Sequence, residues 1–364
     1  MNSIDIKEWE LEITQNCNLA CPLCARTDQK YPLWNNPQIS LHDFKELFTP
    51  EMIKGKKFKL CGTRGDPIVH PHCLEICQYL QEYGAERVTL STNGGYNNVA
   101  WWTALAKTNA RPSFALDGGP KTLHMYRINA KWETVDRNLR AFVNAGGWAQ
   151  AQFIIFNHNE HEFEWIVNYC KELGIELVKR TSGRNIFQAG KTATTRKGEK
   201  VTYSGGTTLK HTDLTSVKQA VDKIDKLQTE AKLERSSADT PEEKRKRMIK
   251  ALALKDSDDN IKQTIATIKC KHLENPELFL CPEGRVWPCC FIYDNHMNKG
   301  KYMNKLYGIT FNSLHHHSLQ EILDNDYFQT IADRWSPLHD NFEMRCVKTC
   351  GNNAAYMNKL EKIV

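Results

Sequence analysis

Between residues 7 and 178 the chain alternates short strand-like stretches with longer stretches of helical periodicity. Strands are expected at Trp9–Ile13, Lys57–Cys61, Arg87–Ser91, Ser113–Leu116, Gln152–Phe156 and Glu176–Val178. Helices are expected near 41–48, 71–83, 98–107, 132–145 and 160–173, with Asn144–Gly147 and Gly174 as stop signals. Repeated strand–helix units predict an α/β fold with a parallel sheet and helices outside it. In such folds sites gather on the loops at the carboxyl ends of the strands. With 364 residues, 40% of them apolar, the chain can bury one large domain and a smaller one.

The loop after the first expected strand reads CNLACPLC. It places Cys17, Cys21 and Cys24 at the spacing C-x3-C-x2-C. Three thiolates can hold three corners of a [4Fe–4S] cube and leave the fourth iron open, whereas electron-transfer clusters take four cysteines. A zinc site would ask for C-x2-C pairs with a second pair at modest distance. The next cysteine, Cys61, sits in a different context. Unliganded thiols are the remaining reading.

After the second strand comes LCGTRGDP, with Gly65, Asp66 and Pro67; the third ends in Ser91, Thr92, Asn93 and two glycines. The fourth ends in FALDGG, with Asp117, and Arg127 follows in HMYRINA. The fifth runs into FNHNEHE, with Asn157 and Asn159. Glycine lets a backbone approach a ligand closely. Asp66 or a nearby carbonyl can accept from an ammonium, Ser91–Asn93 can bond a ribose, and Arg127 can pair with a carboxylate. The bland readings are turn tripeptides, polar loops and a surface arginine. Together these motifs resemble the radical S-adenosylmethionine (radical SAM) enzymes, which implies a partial (β/α)6 TIM-like barrel. The resemblance implies Cys17, Cys21 and Cys24 as cluster ligands. It implies SAM contacts from Gly65, Asp66, Pro67, Ser91, Thr92, Asn93, Asp117, Arg127, Asn157 and Asn159. His158 and His161 are read as surface residues.

A second cysteine set lies near the C-terminus. Cys270, then Gly284 and Cys289 at G-x4-C, then Cys346 and Cys350 resemble a SPASM domain shortened to the twitch type. That resemblance implies a second, auxiliary [4Fe–4S] cluster on Cys270, Cys289, Cys346 and Cys350. Cys290 or Cys281 can stand in for Cys289, and a four-cysteine zinc knuckle fits the count as well. CNLACPLCART and the VWPCC run are similar to twitch-domain radical SAM proteins of marine phages and bacteria. Expected domains are a barrel over 1–185, a charged helical insertion over 186–265 and a cluster domain over 266–364. About half of the residues between Lys218 and Lys250 are charged, and Thr240, Pro241 and Glu243 form a capping-box helix start. The insertion reads as a solvated helical arm or a docking arm.

Net charge is +6, too mild to argue for nucleic acid. No apolar run reaches a membrane span, and the N-terminus lacks a signal-peptide layout. Thirteen cysteines then point to a reducing cytoplasm. The resemblance implies reductive cleavage of SAM to a 5′-deoxyadenosyl radical and hydrogen abstraction, which makes the chain an oxidoreductase or maturase. The expected substrate is a peptide or protein, and the expected electron donor is a flavodoxin or ferredoxin. Competing readings are a small metabolite or nucleotide, RNA modification with nucleic acid as a weakly supported partner, and a non-catalytic zinc- or cluster-stabilised binding protein. No catalytic residue beyond cluster and SAM ligands is expected, because the cofactor carries the chemistry.

Overall fold

The computed structural model describes residues 5–21, 24, 26, 37–156, 158–180, 192–194, 200–202, 267–298, 301–335, 343–351 and 360–362. Most of the charged insertion lies outside these ranges, as do its expected helices.

The six expected strands form in order: β1 (Glu8–Leu11), β2 (Lys57–Leu60), β3 (Arg87–Thr92), β4 (Ala110–Ala115), β5 (Gln150–Ile154) and β6 (Glu176–Arg180). Between them run α1 (Leu41–Leu47), α2 (Pro50–Ile53), α3 (Cys73–Glu82), α4 (Val99–Leu105), α5 (Leu123–Tyr126), α6 (Trp132–Asn144) and α7 (Phe163–Leu173). Each strand is parallel to the next. This is the partial (β/α)6 arrangement expected, and β1 precedes the cysteine loop as it should.

Alternation within the strands explains the layering. Trp9 pairs with Phe58, and Phe58 with Val88. Trp9, Phe58, Val88 and Phe114 are fully buried or nearly so. This face packs on the helices: Trp9 meets Phe48 edge-on at 5.2 Å, and Phe114 meets Trp102 of α4 at 5.1 Å. The opposite face is polar. Glu10 pairs with Lys59, Lys59 with Thr89, Ser91 with Ser113, and Ala115 with Gln152. Trp102 and Trp287 are fully buried core residues.

Local signals place the helix ends. Ser40 Oγ accepts from the Asp43 amide at 2.9 Å, and Asn98 caps α4 through the Trp101 amide at 3.0 Å. Gly174, with φ +65°, ends α7. Strand β4 starts three residues earlier than its sequence pattern suggests. Pro112 argues against a strand, yet the register runs through it opposite Leu90. The one-turn helices α2 and α5 have no periodicity to announce them.

The sheet continues beyond the six units. A ribbon of β7 (Thr192–Thr194) and β8 (Lys200–Thr202) stands apart as an antiparallel pair. After α8 (Lys271–Glu274), strand β9 (Glu277–Leu280) joins the free edge of β1 in parallel. Strand β10 (Val286–Trp287) folds back on β9, and β11 (Leu360–Lys362) adds antiparallel to β6. The strand order is β10-β9-β1-β2-β3-β4-β5-β6-β11. Helices α9 (Cys290–Asn298), α10 (Tyr302–Tyr307), α11 (Leu319–Asp324), α12 (Asp326–Gln329) and α13 (Met344–Cys350) complete the described elements of the C-terminal part.

The chain divides into two compact units. One comprises Met1–Leu209, Lys271–Leu323 and Lys359–Val364; the other comprises Lys210–Cys270 and Asp324–Asn358. Within the second, Asn325 caps α12 and the buried Arg334 guanidinium lies 4.8 Å from the Tyr327 ring centre. Among the described residues no helix is long and apolar enough to cross a membrane.

Candidate active site

The loop after β1 brings its three cysteines to one place. Leu19, Cys21, Tyr126 and Phe156 form a buried cluster, with Cys17 and Cys24 packed against it. Cys21 is buried, and Cys17 and Cys24 are half-buried. Their contacts come from the ends of successive strands. The Leu19 amide donates to Cys17 Sγ at 3.4 Å. Asn93 Nδ2 lies 3.8 Å from the same sulfur, and Arg127 Nη1 lies 3.7 Å from Cys21 Sγ. Burial pushes the Cys17 thiol up to about 12 and the Cys21 thiol up to about 11. Metal binding therefore has to draw off protons that these sites hold firmly.

Two chains of side chains support the sulfurs. The first starts at the loop after β2. The Asp66 amide donates to the Asn16 carbonyl at 2.8 Å. Asp66 Oδ2 accepts from the Asn93 amide at 2.7 Å, and Asn93 Nδ2 donates to Asn18 Oδ1 at 3.0 Å. Burial raises Asp66 to about 6, against the pull of these donors. The second chain starts at the end of β4. Asp117 is fully buried, and its Oδ2 takes Arg127 Nε at 2.6 Å and Nη2 at 2.5 Å. Its Oδ1 takes the Ile154 amide at 2.8 Å. Asp117 thus aims Arg127 toward Cys21.

Close approach explains the glycines of LCGTRGDP. A Cβ on Gly65 would sit 1.8 Å from the Thr14 carbonyl oxygen, and one on Gly62 would sit 2.2 Å from the Gly65 carbonyl oxygen. No other residue fits without moving backbone. Pro67 follows as a buried first residue of a short 3-10 turn, with Asp66 Oδ1 accepting from the Ile68 amide at 3.3 Å. Thr92 is buried, its Oγ1 accepting from the Gly94 amide at 3.1 Å, and Ser91 is half-buried. Asn159 is fully buried and braces the loop after β5. Its Nδ2 donates to the Ile154 and Asp117 carbonyls, and its Oδ1 accepts from the Phe156 amide. Asn157 lies outside the described residues. His158 stacks on Phe156 at 5.3 Å, nearer the site than a surface histidine would be, while His161 is exposed.

The spacing does not flag four of the participants. Glu12, one residue past β1, accepts from the Arg64 amide at 2.7 Å and from Thr63 Oγ1 at 3.0 Å. Asn18 lies inside the cysteine motif and donates to the Gly95 carbonyl at 3.0 Å. Tyr126 and Phe156, with ring centres 4.4 Å apart, wall the cysteines. Glu12 had a sequence signal: Glu8, Glu10 and Glu12 alternate along the strand, so a carboxylate points at the site end of its polar face.

Comparison with known proteins agrees with this geometry. The sequence profile described as "Radical SAM superfamily" matches residues 11–170. Residues 11–170 are thus similar to a radical SAM domain. Among solved structures, Streptococcus suis SuiB bound to S-adenosylmethionine superposes with a TM-score of 0.54 at 12% identity, covering 90% of this chain and 68% of its own. SuiB bound to its precursor peptide SuiA gives 0.53 at 11%, covering 90% and 67%. Native anSMEcpe with bound AdoMet gives 0.51 at 13%, covering 94% and 88%. At these identities the likeness is one of fold. No curated protein sequence matches the chain.

A radical SAM domain implies an enzyme, with a [4Fe–4S] cluster and SAM as cofactors. The cysteine loop fits the first: Cys17 and Cys24 pack against the buried cluster that holds Cys21, and N–H donors point at the sulfurs of Cys17 and Cys21. Among the described residues no three His, Cys, Asp or Glu side chains converge as for a single ion. A cube spreads its ligands over separate irons.

The second cysteine set divides between the two units. Cys281, Cys289 and Cys290 belong to the first, and Cys270, Cys346 and Cys350 to the second. Cys281 is buried in the β9–β10 hairpin, where its amide donates to the Arg285 carbonyl at 3.1 Å. Burial raises the Cys290 thiol, and Glu10, Cys289 and Cys61 raise it further. Cys289 is half-buried, as are Cys270, Cys346 and Cys350. Cys346 and Cys350 stand one turn apart on α13.

Proposed function

We propose that the chain reductively cleaves SAM and abstracts hydrogen from a peptide or protein, modifying or oxidising it. The observation that carries this reading is the convergence of Asp66–Asn93 and Asp117–Arg127 on the sulfurs of Cys17 and Cys21. When bound, the cluster and SAM together supply a 5′-deoxyadenosyl radical that takes hydrogen from a C–H bond. The chain's own part is binding and orientation. Cys17, Cys21 and Cys24 hold the cluster. Gly65 to Pro67 bring backbone close to the methionine end of SAM, and Ser91 to Asn93 meet the ribose. Arg127, held by Asp117, offers charge to a carboxylate. Tyr126 and Phe156 exclude water from the cluster side.

The peptide assignment rests on SuiB, a structural neighbour bound to a precursor peptide. The polar sheet face, with Ser91, Ser113 and Gln152 half-buried, suits a hydrogen-bonding substrate. The polar face also suits a small metabolite or nucleotide. Cys270, Cys289, Cys346 and Cys350 hold an auxiliary cluster in this reading, and a flavodoxin or ferredoxin supplies electrons. The test is anaerobic reconstitution, iron counting, and incubation with SAM and dithionite. About eight irons per chain and release of 5′-deoxyadenosine are expected. About four irons would remove the auxiliary cluster, and no 5′-deoxyadenosine under several reductants would sink the enzymatic reading.

A further inference from the structure

Glu12 lies outside every ligand motif, yet it gathers the loop that carries Gly65, Asp66 and Pro67. Its carboxylate is 1% exposed. Oε1 accepts from the Arg64 amide at 2.7 Å, from the Gly65 amide at 3.3 Å and from Thr63 Oγ1 at 3.0 Å. Oε2 accepts from Thr63 Oγ1 at 3.1 Å and from Gln15 Nε2 at 3.5 Å. A buried carboxylate is costly unless its oxygens are met by donors. Here the donors are three consecutive residues of one loop and one residue of the cysteine loop.

The same node reaches a third segment. Gln15 Nε2 lies 2.5 Å from Tyr293 Oη, and Arg64 Nη2 pairs with Asp294 Oδ1 at 3.2 Å, with both Arg64 and Asp294 buried. Tyr293 and Asp294 sit on α9, whose first residue is Cys290. Downstream, Gly65 has no room for a Cβ beside the Thr14 carbonyl, Asp66 bonds Asn16 and Asn93, and Asn93 reaches Cys17.

We infer that Glu12 is a positioning residue: it clamps residues 63–65 to the cysteine loop and so sets the place of Gly65 and Asp66 for SAM. The role in SAM binding rests on the proposed function of that loop, whereas the clamp itself does not. Burial raises the Glu12 carboxyl to about 7, against the pull of the Arg64, Thr63 and Gly65 donors.

Two measurements separate the clamp from the SAM reading. Hydrogen–deuterium exchange of peptides spanning 60–68 needs no cofactor. Glu12→Ala is expected to speed exchange there at least tenfold, with peptides of β4 and α6 unchanged. Glu12→Gln keeps an acceptor for the two amides and is expected to stay within about threefold of the parent chain. Unchanged exchange in Glu12→Ala, or Glu12→Gln as fast as Glu12→Ala, overturns the clamp. The second measurement is SAM affinity of the reconstituted protein, read by equilibrium dialysis and by the change SAM makes in the reduced cluster's electron paramagnetic resonance. Affinity is expected to fall about tenfold in Glu12→Ala at parental iron content, with rescue in Glu12→Gln. Faster exchange with parental affinity overturns the positioning role. If Glu12→Ala fails to fold, Thr63→Val removes one donor from the carboxylate and is expected to speed exchange of 60–68 two- to threefold. Parental exchange in that variant counts against the clamp.

Discussion

The buried pair Asp117–Arg127 makes a sharp test of how the site is held. Asp117 is fully buried, and Arg127 keeps 19% of its side chain exposed. Two short hydrogen bonds join them, and Asp117 also takes the Ile154 amide. Breaking a buried pair from one side strands the other charge, at a cost of 3–5 kcal/mol. The partial exposure of Arg127 places this pair at the lower end, about 3 kcal/mol for Asp117→Asn and about the same for Arg127→Met. Asn at 117 can still accept from the Ile154 amide, so the loss is one of charge. The double variant strands nothing. It is expected to cost no more than about 3 kcal/mol rather than about 6, a coupling of at least about 3 kcal/mol. The assay is urea denaturation of the iron-free protein, followed by tryptophan fluorescence under argon. A coupling below about 0.5 kcal/mol would refute the claim that Asp117 exists to hold Arg127. The same variants carry a second expectation: Asp117→Asn releases Arg127 from Cys21, so SAM affinity falls even where the cluster assembles.

Further outcomes follow from the same contacts. Gly65→Ala places a methyl against the Thr14 carbonyl and is expected to cost about 1–3 kcal/mol of stability in urea denaturation, because backbone has to move. Glu12 titrates from an ordinary 4.5 in the unfolded chain to about 7 in the folded one. The folded state therefore holds the proton longer. Stability is full below pH 4.5, falls as pH rises toward 7 and levels above it, a total of about 3 kcal/mol. Glu12→Gln is expected to flatten that part of the pH–stability curve, and parallel curves for the two proteins would count against the buried carboxyl. Replacing Cys17, Cys21 or Cys24 by Ala is expected to remove about four irons and all 5′-deoxyadenosine formation. Replacing Cys289 or Cys290 one at a time tests the auxiliary ligand: iron should fall with Cys289→Ala and hold with Cys290→Ala.

Much of the barrel was legible because its signals are local. Six strands and five helices follow from periodicity over a few residues each, and Ser40, Asn98 and Gly174 mark ends through their own backbone neighbourhoods. The cysteine triplet is legible for the same reason: its spacing is a property of one short segment. Strand β4 begins at Ala110 rather than Ser113 because pairing with β3 carries it through Pro112, a residue that locally disfavours a strand. Strands β9 and β11 could not be anticipated at the edges of this sheet. Edge pairing depends on which backbone groups remain free after the six units close.

The site shows the same division. Residue type and position after a strand single out Asp66, Asn93, Asp117 and Arg127, because carboxyl-end loops are where a parallel sheet puts its chemistry. What each does is a matter of partners far away in sequence. Asp117 holds Arg127 rather than standing alone, Asn159 spends its amide on three backbone groups, and Glu12 binds a loop about fifty residues away. From the order of residues come the resemblance to a family, the strand–helix alternation and the three thiols. The partners of each buried polar group come from the fold, because burial makes an unpaired donor or acceptor costly and only the packed chain decides which groups are near enough to pair.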